Sequence, residues 1–222
     1  MKIFFIKEKS AAAVKPAGIL SVLMLFFMVL PAGINASEFR GIFNSIIPTD
    51  GNFDFPRTVM ELSALADPQL NVNVELSRIE TMAGEIKKRL RPNASGAEAV
   101  YGINEYIYGV MGFRFDEHAN EYIFKKTVNP ASVDMKNYES LRIVMRERQG
   151  ICVSLSILYL MLTDELNIPV YAVFVPGHIF VRYDDGKERI NIETTSRGSF
   201  APDSEYEKAV SYTHLRAHET VL

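Results

Sequence analysis

The chain's single cysteine, Cys152, follows Arg148-Gln149-Gly150-Ile151 and opens a strongly apolar stretch. Farther on, His178 follows Pro176-Gly177, and Ile190-Asn191-Ile192-Glu193-Thr194-Thr195 supplies an amide and a carboxylate. Thiol, imidazole and acid in that order are what a thiolate nucleophile with a base and an orienting acid requires. In the first turn of a helix, Cys152 would meet the positive end of the macrodipole and backbone N–H groups that lack intrahelical partners. Both favour negative charge on sulfur. The same donors can later hold an oxyanion, with the Cys152 backbone N–H as the natural one and the Gln149 side-chain amide as a second. His178 would take the thiol proton and later protonate a leaving amine. Its other ring nitrogen then needs an acceptor to fix tautomer and tilt.

These groups must be positioned by elements that the pattern supplies. Leu76, Ile79, Met82, Ala83, Ile86 and Leu90 recur at three- and four-residue spacing, which predicts a helix over 72–90. Helical periodicity begins earlier, near Arg57. Ser95 with Glu98 predicts a capping box for a next helix, ended by Gly112. Residues 113–133 read as a loop with extended pieces. A helix from about Met135 to Gln149 is expected to close at Gly150, where a left-handed residue costs glycine little. The Cys152 helix then runs to Leu166 and is apolar almost all round, hence central. Val170–Val175 and His178–Tyr183 read as strands, Asp184-Asp185-Gly186 as a hairpin turn, and Glu188–Thr194 as a third strand. The expected fold is α+β, with N-terminal helices followed by a small antiparallel sheet.

The hairpin would bring a residue near Asn191 or Glu193 across from His178. Alternation puts both on one face. A carboxylate stabilises imidazolium better, so Glu193 is the expected orienter and Asn191 the reserve. Each residue alone has a plainer role: Cys152 as small core filler, His178 as a backbone-bonded strand histidine, Glu193 as a solvated strand-end acid. Their joint placement at a helix start, a strand start and a paired strand favours the chemistry. His118, among Asp116 and Glu117, reads as a surface histidine. Neither it nor His178 has a companion at zinc-ligand spacing, so no metal or other cofactor is expected.

The ends read differently from the centre. Lys2, Lys7, Lys9 and Lys15 precede an apolar run over residues 17–30, then Pro31, Gly33 and Ala36-Ser37. That order describes an export signal over residues 1–36, cut after Ala36, with an uncleaved membrane tether through 17–30 as the alternative. Residues 37–56 read as an irregular lead-in and 57–209 as the domain. Residues 210–220 resemble a translated sequencing adapter, so His214 and His218 in the tail 210–222 carry no site argument. The formal net charge is −3. Residues 1–36 hold four Lys and one Glu, or +3, which leaves −6 for the remainder. A mildly acidic domain without a basic patch gives no reason to expect nucleic acid as a partner. One cysteine cannot form an internal disulfide, even in an exported chain.

Over roughly Val59 to Gly198 the sequence resembles the transglutaminase-like superfamily, and within it the SirB1-type branch. The resemblance rests on Leu141-Arg142-Ile143-Val144, Arg148-Gln149-Gly150-Ile151-Cys152, Leu155-Ser156-Ile157-Leu158-Tyr159-Leu160, Pro176-Gly177-His178 with Val181-Arg182-Tyr183, and Ile192-Glu193-Thr194-Thr195. It implies a papain-like centre: a helix bearing Cys packed on an antiparallel sheet bearing His and an acid. It also implies thiol-dependent hydrolysis of amides in peptide or protein substrates, or acyl transfer to an amine, with Cys152 as nucleophile, His178 as base and Glu193 as orienter. Two positions depart from the pattern: Glu193 stands where Asp is usual, and Val153 where an aromatic residue often follows the nucleophile. The alternative is a catalytically silent scaffold that binds a peptide or protein partner.

Overall fold

The computed structural model describes residues 54–120, 140–175 and 177–206. The expected export signal or tether, nearly all of the lead-in, the loop over 121–133, the start of the helix expected from Met135, Pro176 and the tail 210–222 lie outside the described residues. Among the described residues, no helix is long and apolar enough to cross a membrane.

Helix α1 (Phe55–Ala66) begins two residues ahead of Arg57, because Asp54 caps it by accepting from the Arg57 N–H at 2.9 Å and Pro56 suits its first turn. Helix α2 (Val72–Arg89) is capped by Asn71 and ends in Lys87, Lys88 and Arg89, whose charges suit the carbonyl end. It buries Leu76, Ile79, Met82, Ala83 and Ile86, the periodic face. Helix α3 (Gly96–Asn104) starts at the Ser95–Glu98 capping box and passes into a π-helical turn, Glu105–Val110. Gly112 then takes a positive φ of 73°. Strand β1 (Arg114–Phe115) and a short helix α4 (Glu117–Asn120) follow.

Helix α5 (Leu141–Glu147) departs from expectation at its end. Arg148 itself takes the left-handed closing conformation, φ 55°. Gly150 lies instead in strand β2 (Gln149–Gly150), which pairs in parallel with β1. The absence of a side chain there serves close packing, since a Cβ would meet the Ser154 Oγ at 2.6 Å and Val144 and Leu155 at 3.3 Å.

Helix α6 (Cys152–Glu165) is the centre of the molecule. Every residue from Val153 to Thr163 is buried, as a helix apolar on all sides must be. It packs on α1 and α2 on one side and on the main sheet on the other. That sheet comprises β3 (Val170–Val175), β4 (His178–Asp184), β5 (Arg189–Glu193) and β6 (Ser199–Phe200), antiparallel and in sequential order. β6 and a helical turn over 203–206 extend the expected three strands. Ile179, Val181, Tyr183 and Ile192 face the helices and join their core. Alternation puts His178, Phe180, Arg182, Asn191 and Glu193 on the opposite face.

Candidate active site

Ile151 is the residue before α6 and has no polar side chain to cap it, so Ser154 reaches back and accepts from the Ile151 N–H at 3.0 Å. Cys152 is the first helical residue and remains partly exposed, whereas its successors are buried. His178 opens β4 immediately after Gly177, whose φ of 76° turns the chain out of β3. The imidazole lies between two partners. The Cys152 thiol is close enough to raise the imidazole's pKa. On its other side, Nε2 lies 2.6 Å from Glu193 Oε2. A carboxylate acceptor obliges Nε2 to carry a proton, which leaves Nδ1 for the sulfur.

Strand register decides the acid. Val181 pairs with Ile192 and Arg182 with Asn191. One further step places Glu193 across from Phe180, two positions short of the place opposite His178. Asn191 lies four positions short, about 13 Å along the strand at roughly 3.3 Å per residue. Glutamate spans its two-residue diagonal, and the extra methylene relative to Asp supplies the reach. Asn191, the reserve orienter, therefore does not meet His178. Its Oδ1 accepts from Arg182 Nε, and its Nδ2 donates to the Ala201 carbonyl at 2.9 Å and to Asp203 Oδ1 at 2.7 Å. Gln149 sits at β2 with Oε1 accepting from Arg114 at 2.9 Å, which leaves its amide N–H groups as donors. His118 is exposed, and its backbone N–H bonds Asp116.

Four donors converge on Glu193. Thr195 donates from its backbone N–H at 3.1 Å and its hydroxyl at 2.6 Å to Oε1. His178 and the Tyr206 hydroxyl, the latter at 3.3 Å, donate to Oε2. A carboxylate filled this way is held ionised. Burial pushes Glu193 upward, but the hydrogen bonds from His178 and Thr195 and the His178 charge outweigh it and bring the group below its ordinary 4.5. For His178, burial favours the neutral ring. The hydrogen bonds and negative charge of Cys152 and Glu193 overcome that and raise it from 6.5 to about 9. The imidazole is thus held protonated at neutral pH between a sulfur and a fixed anion.

Several supporting residues escaped the sequence reading. Ser156, one turn beyond Cys152, shares a buried hydrogen bond of 3.1 Å with Thr194, which ties α6 to the end of β5. The turn after Glu193 is a 3-10 turn, Thr194–Ser196, capped by Glu193 itself. It is pinned from α3 and the π-helical turn: Asn104 Nδ2 donates to the Gly198 carbonyl at 2.8 Å and Arg197 to the Tyr108 carbonyl at 3.2 Å. The i, i+4 spacing of Cys152 and Ser156 is the signal that was there to be read.

Among the described residues, no group of His, Cys, Asp and Glu side chains could hold a metal ion. The arrangement is suited to proton transfer between sulfur and imidazole and to attack by sulfur on an electrophilic carbon. No curated protein and no solved structure matches the chain. Residues 74–220 match the transglutaminase-like superfamily. With an α+β architecture that sets a cysteine-bearing helix against a small antiparallel sheet, the chain belongs to the transglutaminase-like superfamily.

Proposed function

We propose that the protein is a thiol-dependent amide hydrolase or acyl transferase acting on peptide or protein amides, in the SirB1-type branch, with Cys152, His178 and Glu193 as its triad. The observation that carries this reading is the imidazole paired at 2.6 Å with Glu193 and lying near enough to Cys152, the first residue of α6, for the sulfur to raise its pKa. A structural cysteine has no use for such a pairing, and the partial exposure of Cys152 suits a nucleophile better than an inert thiol.

In the first half-reaction the Cys152 thiolate attacks the substrate carbonyl carbon. The carbonyl oxygen takes the displaced electron pair, and the first-turn backbone N–H groups of α6 stabilise it, with the Gln149 amide as a further donor. Collapse of the intermediate breaks the C–N bond, and the imidazolium of His178 gives its proton to the departing amine. His178 Nδ1 then takes a proton from water or from an incoming amine, which attacks the thioester and restores the thiol pair. Glu193 keeps its proton-free form throughout and steadies the imidazolium. Residues 1–36 would export the chain to the periplasm or the extracellular side, cleaved or retained as a tether.

The test is the rate at which iodoacetamide alkylates Cys152 at pH 7. Native protein is expected to react at least about tenfold faster than His178→Ala, since the thiolate depends on the facing imidazolium. Equal, slow alkylation of both would show that no activated pair exists, leaving the silent scaffold.

A further inference from the structure

The segment after β6 forms no part of the triad, yet it delivers a side chain to it. Residues 201–206 cross the face of the sheet that carries His178, Phe180, Arg182, Asn191 and Glu193. Two polar attachments hold the segment. Asn191 Nδ2 donates both to the Ala201 carbonyl at 2.9 Å and to Asp203 Oδ1 at 2.7 Å, and Arg182 Nη2 forms an ion pair with the same Asp203 oxygen. Arg182 is buried whereas Asp203 is exposed, so the pair reaches from the sheet face out to solvent. One turn later the Tyr206 ring stacks on Phe180, with centroids 3.9 Å apart and planes 12° from parallel. Phe180 is the residue across from Glu193. The stack therefore fixes the Tyr206 hydroxyl beside the acid, where it donates to Oε2, the same oxygen that accepts from His178.

We propose that Tyr206 is a positioning residue of this site, and that the Arg182–Asn191–Asp203 cluster is the latch that keeps it there. Glu193 is held on one oxygen by Thr195 and on the other by Tyr206, so its carboxylate cannot rotate away from the imidazole. The polar residues first weighed as partners for His178 thus divide the work: Glu193 touches the ring, while Asn191 anchors the segment whose tyrosine steadies Glu193. Burial, the Glu193 charge and the hydrogen bond to it all oppose ionisation of Tyr206, which stays a donor across the working pH range.

This inference rests on the triad reading above, and its test separates the two. Tyr206→Phe keeps the stack on Phe180 and deletes only the donor. Iodoacetamide alkylation of Cys152 at pH 7 is expected to slow by about three- to tenfold, the loss appropriate to one ordinary hydrogen bond, since the Tyr206 contact is long at 3.3 Å. The His178 ring, followed by NMR in variant and native protein side by side, is expected to titrate lower in the variant. Asp203→Asn keeps Tyr206 but weakens the latch, and is expected to move both readouts the same way by less. His178→Ala in parallel reports on the triad itself. If His178→Ala slows alkylation while Tyr206→Phe and Asp203→Asn match native protein in rate and in His178 titration, Tyr206 positions nothing and the inference is overturned with the triad intact. If His178→Ala alkylates like native protein, the triad reading fails. A fall in melting temperature with an unchanged His178 titration marks a merely structural tyrosine and also overturns the inference.

Discussion

Replacing Glu193 with glutamine isolates the charge that the site is built around. His178 titrates at about 9 rather than 6.5. That difference is worth roughly 3 kcal/mol of folding stability, at about 1.4 kcal/mol for each tenfold change. Because the folded value lies above the unfolded one, the stabilisation is complete below 6.5 and disappears as the pH climbs through about 9. In Glu193→Gln the 2.6 Å contact loses its negative partner. Burial still pushes the ring down, and Cys152 alone holds it up. Assigning about half of the effect to Glu193 makes the variant about 1–2 kcal/mol less stable at pH 7 through His178. Donors that face the amide nitrogen in place of a carboxylate oxygen lose their acceptor, a further cost that is the same at pH 7 and pH 10. Urea unfolding of both proteins at the two pH values, with the slope checked for constancy, measures the difference. The stability gap should be about 1–2 kcal/mol wider at pH 7 than at pH 10. A gap of equal size at both would refute the reasoning, because it would mean that Glu193 and His178 share no proton-linked interaction.

Two further substitutions probe the frame around the site. Ser156→Ala removes the partner of Thr194, which is fully buried, and should cost about 1–2 kcal/mol in denaturant unfolding while also slowing Cys152 alkylation, because the strand end bearing Glu193 loses its tie to α6. Lost stability with unchanged alkylation would confine Ser156 to a packing role. The Tyr159 hydroxyl is buried without a hydrogen-bond partner among the described residues. Tyr159→Phe should therefore stabilise by about 1 kcal/mol, seen as a rise in Tm of roughly 2–4 °C. A fall in Tm would mean that this hydroxyl makes a bond whose loss outweighs its desolvation.

What could be read from the residues alone was whatever local physics decides. The three- and four-residue spacing over 72–90 specifies a helix with one buried face, and the Ser95–Glu98 pair specifies where the next one starts. The Asp184-Asp185-Gly186 turn commits β4 and β5 to pair, with Gly186 at φ 86°. A long apolar run after Cys152 leaves α6 no place but the centre. The approximate meeting of Cys152, His178 and a carboxylate followed from these elements.

Tertiary structure decided what alternation and composition leave degenerate. Asn191 and Glu193 share a face in any register, and only the observed pairing of Val181 with Ile192 places Glu193 within reach of the ring and Asn191 beyond it. Arg148 rather than Gly150 closes α5, because the space against Ser154 and Val144 demanded the glycine elsewhere. Ser156 and Tyr206 acquire their roles from contacts across 38 and 13 residues of chain. A residue's own neighbours hold no information about such contacts, since they arise only when separate elements pack and their polar groups must find partners away from water.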